Sequence, residues 1–391
     1  MTFHTGDNGY IGNSADSILT ISETAKFNMT GGNQLYLGYR KKGTLNYNSS
    51  AESTWTNTVR IGTGAEGLLS VTNGKITHSS GYFIVGNDNV GTLAISETAK
   101  VKANNLFIGD QYKASGVKGV ILVKDSGELS SNVIYLADKT NSVGELTVQD
   151  NAVVSTGQFR LGRSQHYNEA DTSHTSYLGG GTATATINGG SFSCSQLVMG
   201  NQKAPCTLNV LAGTFKTTSN SANTVVGESL IHLAGGDKTT VTLAGSLTLE
   251  DTSGIKVTDG TKLTGTSLAF TDNSSLELDG LYQFATLSGS LSFTDDVSLT
   301  VYLDDIFMAD GAYTLIEATG QTSGMLDKLT LVSEFGEAVL TGEALTPYLD
   351  YANGLVLNYT SAIAPVPEPG TWGLMLIGLL GLGGVARKKR S

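Results

Sequence analysis

The sequence predicts an all-β protein: a right-handed parallel β-helix, or β-solenoid, with a β-rich C-terminal cap and one C-terminal transmembrane helix. Three observations lead to this prediction: an unusual glycine and proline content, a repeat of about 25 residues, and an uncharged span near the C-terminus. The 391 residues include 49 Gly and 5 Pro, whereas ~7% Gly and ~5% Pro are usual. Because proline cannot donate to a strand ladder, its scarcity is typical of stacked, hydrogen-bonded strands.

The repeat is marked by two apolar residues that flank one other residue and precede a glycine, as in Leu35–Gly38 and Leu106–Gly109. A second short strand and a third apolar position lie between successive marks, so each repeat predicts three strands, or one coil of a solenoid. Glycine permits a positive φ where the chain turns a corner. An antiparallel sandwich is the alternative, but its turns recur roughly every 8–12 residues. The marks end at Gly12, Gly38, Gly62, Gly86, Gly109, Ala137, Gly162, Gly200 and Gly227, at intervals of 26, 24, 24, 23, 28, 25, 38 and 27 residues.

Two details of the repeat concern an inserted loop and the start of the chain. The 38-residue interval contains the polar insertion His166–Gly181, which we expect to protrude as a loop. The first coil begins at Gly9 without a capping element, and Met1–Gly6 has neither the basic nor the apolar part of a secretory signal peptide. We therefore expect that upstream sequence is missing.

Charge divides the chain into three parts. Residues 1–227 hold 16 Lys/Arg and 15 Asp/Glu, residues 228–364 hold 4 and 19, and residues 365–391 hold 4 and 1. These parts predict a solenoid of ~25-residue coils, an acidic β-rich continuation with an antiparallel cap, and a basic tail. The acidic body argues against nucleic acid as a partner, because phosphates need a basic face.

The tail begins with three prolines within Pro365–Pro369, which predict an extended linker. Seventeen uncharged residues follow, and they would form a helix ~25 Å long, just short of the ~30 Å hydrocarbon core of a membrane. We expect a membrane anchor that is held by the basic residues after it. A buried helix with a loose basic end is the alternative. The anchor includes Gly370, Trp372, Leu376, Leu380 and Ala386, and the basic end is Arg387, Lys388, Lys389 and Arg390.

Val366, Pro367, Glu368 and Pro369, followed by an apolar span and a basic cluster, resemble the PEP-CTERM sorting signal of Gram-negative bacteria, a tail also called the ice-binding protein C-terminal domain. The resemblance implies export by the secretion machinery, transient anchoring in the inner membrane and processing by an exosortase near Pro-Glu-Pro. It also implies a final place on the outer surface or outside the cell, in association with polysaccharide. The repeats are, more loosely, similar to the β-helix of autotransporter-type passengers.

A candidate binding surface is the column of residues that precede the inward apolar residue of each mark. Stacked coils would align this column outside the core, where aromatic residues and arginine could stack on sugar rings or pack against a neighbouring protein. Ordinary β-propensity is the competing explanation. The column reads Tyr10, Tyr36, Arg60, Ile84, Phe107, Tyr135, Arg160, Val198 and Val225.

The two cysteines, Cys194 and Cys206, both fall on inward positions. A disulfide within one coil and two buried thiols are equally compatible with this placement, because the sequence does not give their separation.

No catalytic, cofactor or metal site is predicted. Gly62–Gly67 matches a dinucleotide fingerprint, but a strand follows it where that site needs a helix. The five histidines match no zinc spacing. A catalytic cluster could be drawn only around the insertion, where polar loop composition explains the residues equally well: His166, His174, Asp171, Arg160 and Arg163.

The sequence thus predicts a non-enzymatic structural or adhesin-like protein of the envelope or extracellular matrix. Its expected partners are an exosortase, the membrane, and polysaccharide or neighbouring surface proteins. The alternative is a β-helix polysaccharide lyase or hydrolase, which needs clustered carboxylates and a basic residue in one groove. Ice binding is a minor third alternative, because Thr182–Thr186 does not recur in register.

Overall fold

Strands make up nearly all the regular structure. The computed structural model describes residues 2–3, 8–32, 34–110, 117–139, 141–162, 180–200, 204–294, 296–303, 309–333 and 336–360. In chain order the strands are β1 Thr2–Phe3, β2 Gly9–Ile11, β3 Ser17–Glu23, β4 Asn28–Met29, β5 Leu35–Leu37, β6 Gly43–Trp55, β7 Val59–Ile61, β8 Gly67–His78, β9 Tyr82–Val85, β10 Gly91–Ile95, β11 Lys100–Ile108, β12 Lys118–Val123, β13 Glu128–Leu136, β14 Val143–Leu161, β15 Thr182–Met199, β16 Cys206–Thr217, β17 Asn223–Val225, β18 Ser229–Leu233, β19 Thr239–Leu249, β20 Gly254–Val257, β21 Lys262–Thr271, β22 Ser275–Leu278, β23 Ala285–Leu287, β24 Leu291–Thr294, β25 Ser298–Tyr302, β26 Gly311–Ala318, β27 Thr322–Ser323, β28 Lys328–Ser333, β29 Gly336–Thr341, β30 Leu349–Asp350 and β31 Gly354–Tyr359. Two short 3-10 helices lie at Gly236–Lys238 and Gly342–Leu345.

The strands form three parallel ladders around a common core, which confirms the predicted β-solenoid. The first ladder runs β2–β5–β7–β9–β11–β13–β14–β15–β17–β19–β21–β24–β27. The second runs β3–β6–β8–β10–β12–β14–β15–β16–β18–β20–β22–β25–β28. The third runs β1–β4–β6–β8–β11–β13–β14–β15–β16–β19–β21–β23–β26. Successive coils are therefore spaced by about 4.8 Å, the ordinary distance between paired strands.

Several coils differ from the three short strands that the repeat predicts. β14 and β15 each run through all three ladders as one bent strand, and their mutual register shifts between Asp150 and Val153. A bulge of this kind bends a strand without ending it. Alternation of apolar residues locates the faces of such a strand but does not show whether the chain breaks between them.

Inward side chains fill one continuous apolar core. Aromatic rings stack from coil to coil inside it: the centroids of Phe192 and Phe215 lie 5.7 Å apart, and those of Phe270 and Phe293 lie 5.6 Å apart. Each coil buries its inner face only against its neighbours, as expected for a repeat structure.

The glycines of the marks occupy the corner after each first-ladder strand, hereafter the first corner. Gly38 has φ +75°, and a Cβ there would lie 2.3 Å from the carbonyl oxygen of Glu66 in the next coil. The backbone of one coil thus passes too close to the next for any side chain. Ala137 takes the same left-handed conformation, with φ 57°.

The corner after the second ladder uses acidic residues instead. Glu97, Asp125 and Asp150 have φ values of 55°, 57° and 57°. The N–H of Glu97 donates to Asp125 Oδ2 at 3.3 Å, and the N–H of Asp125 donates to Asp150 Oδ2 at 3.1 Å. Carboxylates of successive coils therefore accept backbone N–H groups where the strand ladder is interrupted, so these donors have partners within the protein.

Parallel pairing continues past Gly227 as far as β27 and β28. The chain then closes the end of the core with antiparallel pairs: β31 lies against β26 and β30, and β29 lies against β28. Within the described residues, neither of the two short helices has the length and apolar character that crossing a membrane requires. The predicted transmembrane helix at 370–386 lies outside the described residues.

Candidate functional site

The outward column lies on the first ladder, in the register that the repeat predicts. Tyr10 pairs with Tyr36 and Tyr36 with Arg60. Ile84 follows, and then Phe107, Tyr135 and Arg160 stand on consecutive coils. We call these seven residues the outward ladder: Tyr10, Tyr36, Arg60, Ile84, Phe107, Tyr135 and Arg160. Whether this ladder binds anything remains a prediction.

At the C-terminal end of the column, one predicted member, Val225, is wrong. Val198 pairs with Thr224, whereas Val225 pairs with Met199 and is fully buried. The last mark contains one extra residue, Val226, between the strand and Gly227. Counting back from the glycine therefore selects an inward residue in this coil.

Three tyrosines form a cluster at the N-terminal end of the ladder. The rings of Tyr10 and Tyr36 stack at 5.1 Å with an interplanar angle of 12°, and Tyr39 packs against both at 4.9 and 5.3 Å. The Tyr36 hydroxyl donates to Gln34 Oε1 at 2.8 Å. Burial raises the pKa of Tyr36, although the nearby Arg60 guanidinium opposes this rise. Tyr36 is therefore a neutral, packed member of this cluster at neutral pH.

A second aromatic cluster lies farther along the ladder. Phe107 and Tyr135 stack at 4.7 Å with an interplanar angle of 5°, and the Arg160 guanidinium lies 5.7 Å from the Tyr135 ring centroid. Tyr82 stands edge-on to Phe107 at 5.4 Å. Burial raises the pKa of Tyr135 above its ordinary value.

Stacking of rings along the solenoid axis determines how much aromatic surface of the ladder is accessible to a ligand. Phe107 is only 2% exposed, because Tyr135 covers one of its faces and the edge of Tyr82 packs against it. By contrast, Tyr10 is 41% exposed and Tyr82 is 47% exposed. The ladder therefore does not expose its aromatic rings evenly along the solenoid. Accessible ring surface is concentrated at Tyr10 of the ladder and at Tyr82, which lies beside the ladder on the same strand as Ile84.

Arg60 lies next to the tyrosine cluster and makes polar contacts with the neighbouring coils. Its Nε donates to Gln34 Oε1 at 3.0 Å, and its guanidinium also donates to Asn87 Oδ1. These bonds join three consecutive coils, so the guanidinium is oriented before any ligand arrives.

A buried charged group lies beside the second cluster, and sequence reasoning missed it. Asp110 follows Gly109 and Asp138 follows Ala137, so the two carboxyl groups occupy equivalent positions on consecutive coils. Lys139 Nζ lies 2.5 Å from Asp138 Oδ2 and 3.8 Å from Asp110 Oδ1. We call these three residues the corner cluster. Burial raises the pKa of Asp110, although the Lys139 ammonium opposes this rise.

The two cysteines are free, buried thiols in the structure. Cys194 pairs with Thr217 on the third ladder, whereas Cys206 pairs with Ser229 on the second. They therefore lie on different sides of the coil. Burial raises the pKa of Cys194 to about 12 and that of Cys206 to about 11.

Other chemical candidates lie elsewhere. His166, His174, Asp171 and Arg163 of the insertion are outside the described residues, so the catalytic cluster drawn around them is not described. Within the described residues, no group of three or more His, Cys, Asp or Glu side chains has a metal-binding arrangement. On the strand Thr182–Met199, Thr184 faces Glu145 and Thr207, so no regular threonine array forms there.

The sorting tail, with Val366, Pro367, Glu368, Pro369 and the basic residues 387–390, also lies outside the described residues. The family model of the PEP-CTERM protein-sorting motif matches residues 365–390. A signal of this kind indicates a secreted protein that is directed to the cell envelope and recognised by an exosortase. No curated protein and no solved structure matches the chain significantly.

Proposed function

We propose that this chain is a structural or adhesin-like protein of the bacterial envelope or extracellular matrix, anchored briefly in the inner membrane and processed by an exosortase. The match to the sorting motif at 365–390 carries the proposal. The solenoid supports it, because a rod of stacked coils presents the same lateral surface over a long distance.

Sorting can be tested in a host that carries an exosortase. Glu368→Ala in the Pro-Glu-Pro element is expected to leave the full-length chain in the membrane fraction, whereas the unchanged chain is shortened and released. Glu317→Ala on the cap, a matched removal of one carboxylate, is expected to have no effect. Equal release of the Glu368→Ala chain would contradict exosortase processing at this element.

For the mature protein we propose lateral binding of polysaccharide at the exposed rings along the outward ladder. Tyr10 of the ladder and Tyr82 beside it on the first-ladder strand β9 present exposed rings, and a sugar ring packs well on an aromatic face. Arg60, fixed between them, supplies a hydrogen-bond donor for sugar hydroxyls.

Binding to extracellular polysaccharide from the producing cells would be measured with the intact protein. Tyr10→Ala and Tyr82→Ala are each expected to weaken binding about fivefold, because aromatic contacts are worth roughly 1 kcal/mol. Tyr302→Ala is the matched control, since Tyr302 is 36% exposed but lies on the second ladder, outside the outward ladder. Equal losses in all three variants would contradict a ladder-specific site.

The enzymatic alternative is tested in the same samples. A β-helix lyase would produce unsaturated ends, and a hydrolase would produce new reducing ends. We expect neither, and either product would replace the structural proposal with the enzymatic one.

A further inference from the structure

The corner cluster has an unusual combination of burial and charge. Lys139 and Asp138 have side chains that are 4% and 0% exposed, and that of Asp110 is 19% exposed. Among the described residues, the Lys139 ammonium group thus lies close to both carboxyl groups, in a site from which most water is excluded. Burial of this kind favours the neutral form of a carboxyl group, because a charge is costly to remove from water.

The same arrangement satisfies the requirements for amide formation. The reaction needs an amine, a neutral carboxyl group as electrophile, and a nearby carboxylate that accepts the amine proton. Fixed contact replaces a bimolecular encounter, with effective molarities of roughly 10⁵ M or more in well-oriented cases. We propose that Lys139 Nζ and the side-chain carboxyl of Asp110 condense to an intramolecular isopeptide bond, with Asp138 as the base.

The step balances without an oxidant or a co-reactant. In the reactive state one proton has passed from the Lys139 ammonium group to the Asp110 carboxylate, so that Lys139 is a neutral amine, Asp110 a neutral acid and Asp138 a carboxylate. The lone pair of Lys139 Nζ then attacks Asp110 Cγ and forms a C–N bond, while Asp138 takes a proton from the nitrogen. Asp138 then passes that proton to one Asp110 oxygen, the C–O bond breaks, and the oxygen leaves as water. The sum is one ammonium plus one carboxylate giving one amide plus one water.

Burial explains why this pair would react and other pairs would not. Lys100 Nζ lies 2.7 Å from Glu128 Oε1, which is closer than Lys139 Nζ lies to Asp110, but these two side chains are 55% and 46% exposed. Water reaches both groups there, so they lack the desolvation that the reaction requires. In the corner cluster, the raised pKa of Asp110 favours the neutral acid.

The bond would join two consecutive coils beside the second aromatic cluster and close residues 110–139 into a covalent loop. Such a link does not depend on redox conditions, unlike a disulfide, and both cysteines of this chain are free thiols. By removing entropy from the unfolded chain, it would strengthen the coils that carry Phe107 and Tyr135.

Mass spectrometry of the full chain, purified from a host without an exosortase, tests the proposal. The intact mass is expected to be lower than the sequence mass by one water. Trypsin cuts after Lys102, Lys113, Lys124 and Arg160 but not after an acylated Lys139, so a branched peptide of residues 103–113 joined to residues 125–160 is expected. The full sequence mass, together with a free peptide 125–139, would overturn the proposal and leave an ordinary buried ion pair.

Variants distinguish the reaction from accidental loss of water. Lys139→Arg and Asp138→Ala are expected to retain the full mass, and Lys100→Arg is expected to keep the deficit. Asp110→Asn provides a sharper check: it would release ammonia and give the same cross-linked product, and hence the same mass as the cross-linked unchanged chain. The β-sheet circular dichroism of each variant verifies folding. A mass deficit that persists in folded Lys139→Arg would overturn the assignment.

Discussion

The two parts of the solenoid build the same corner with different chemistry. In residues 8–227 the first corner is held by glycine, except at Ala137, and in residues 228–360 it is held by Asp251, Asp272 and Asp296, with φ values of 57°, 50° and 62°. Both solutions reach the left-handed backbone region, which glycine enters freely and Asp more readily than most residues. The left-handed conformation alone therefore does not require glycine at this corner. Glycine is needed where the backbone of the next coil approaches too closely for a side chain.

This difference also explains part of the acidity of the second part. Its corner aspartates are partly or fully exposed, in contrast to the tightly covered glycines of the first part. The excess of Asp and Glu in residues 228–364 is thus partly a consequence of corner geometry, and it does not by itself indicate a cation site.

The largest effect is expected from a methyl group at a glycine corner. Gly62→Ala would place a Cβ 2.4 Å from the carbonyl oxygen of Val90 at φ +77°. We expect the free energy of unfolding to fall by about 3 kcal/mol, since the left-handed backbone alone costs roughly 1–2 kcal/mol. Denaturant titration measures the loss. Gly32→Ala, with no atom within 4 Å of its new Cβ, is the control. Similar losses in the two variants would refute the close-approach argument.

Stability is expected to depend on pH because of a buried histidine in the first part of the solenoid. His78 is fully buried, with Nε2 2.8 Å from the Asn57 carbonyl oxygen and its ring edge-on to Phe83. Burial lowers the pKa of His78, so the folded state resists protonation more than the unfolded state does. Stability is therefore complete above the unfolded pKa of about 6.5 and falls as the pH drops below it.

Unfolding free energies between pH 7.5 and 5.5 test this sign. The decrease is expected to be smaller in His78→Gln, which cannot titrate. His232→Gln, at a less buried histidine of the second part, is expected to leave most of the decrease in place. An unchanged pH dependence in His78→Gln would remove His78 as its source.

A smaller effect of opposite sign is expected at the exceptional mark of the first part. Ala137 already has φ 57°, so Ala137→Gly relieves strain and is expected to stabilise the fold by up to ~1 kcal/mol, less what its buried methyl contributes. Ala185→Gly, in a buried strand, is expected to destabilise by a similar amount. Melting temperatures that fall equally in both variants would contradict the strain at Ala137.

The smallest effect concerns the exposed ion pairs that cross coils in the first part. A double-mutant cycle on Lys100 and Glu128 is expected to give a coupling below about 0.5 kcal/mol, because both side chains are solvated. The coupling should shrink further in high salt. A larger, salt-independent coupling would mean that these pairs help to set coil register.

Sequence periodicity was sufficient for the fold, the glycine corners and the register of the outward ladder, because each depends on local spacing. Periodicity did not identify Thr224 as the outward residue of the last mark, because one inserted residue separates the strand from the glycine. It did not predict the corner cluster either, for another reason. Lys139 and Asp110 are 29 positions apart and look like ordinary surface charges, and only the stacking of two corners buries them together.

The antiparallel cap has a mechanical consequence. While the exported chain is still anchored through its C-terminal end, a pulling force would enter the body at β31, whose ladder partners among the described residues are the antiparallel strands β26 and β30. Tension would thus be resisted first by the cap and only then passed down the rod, coil by coil. Under load the capped end would yield before the aromatic coils near the other end, which would keep their shape longest.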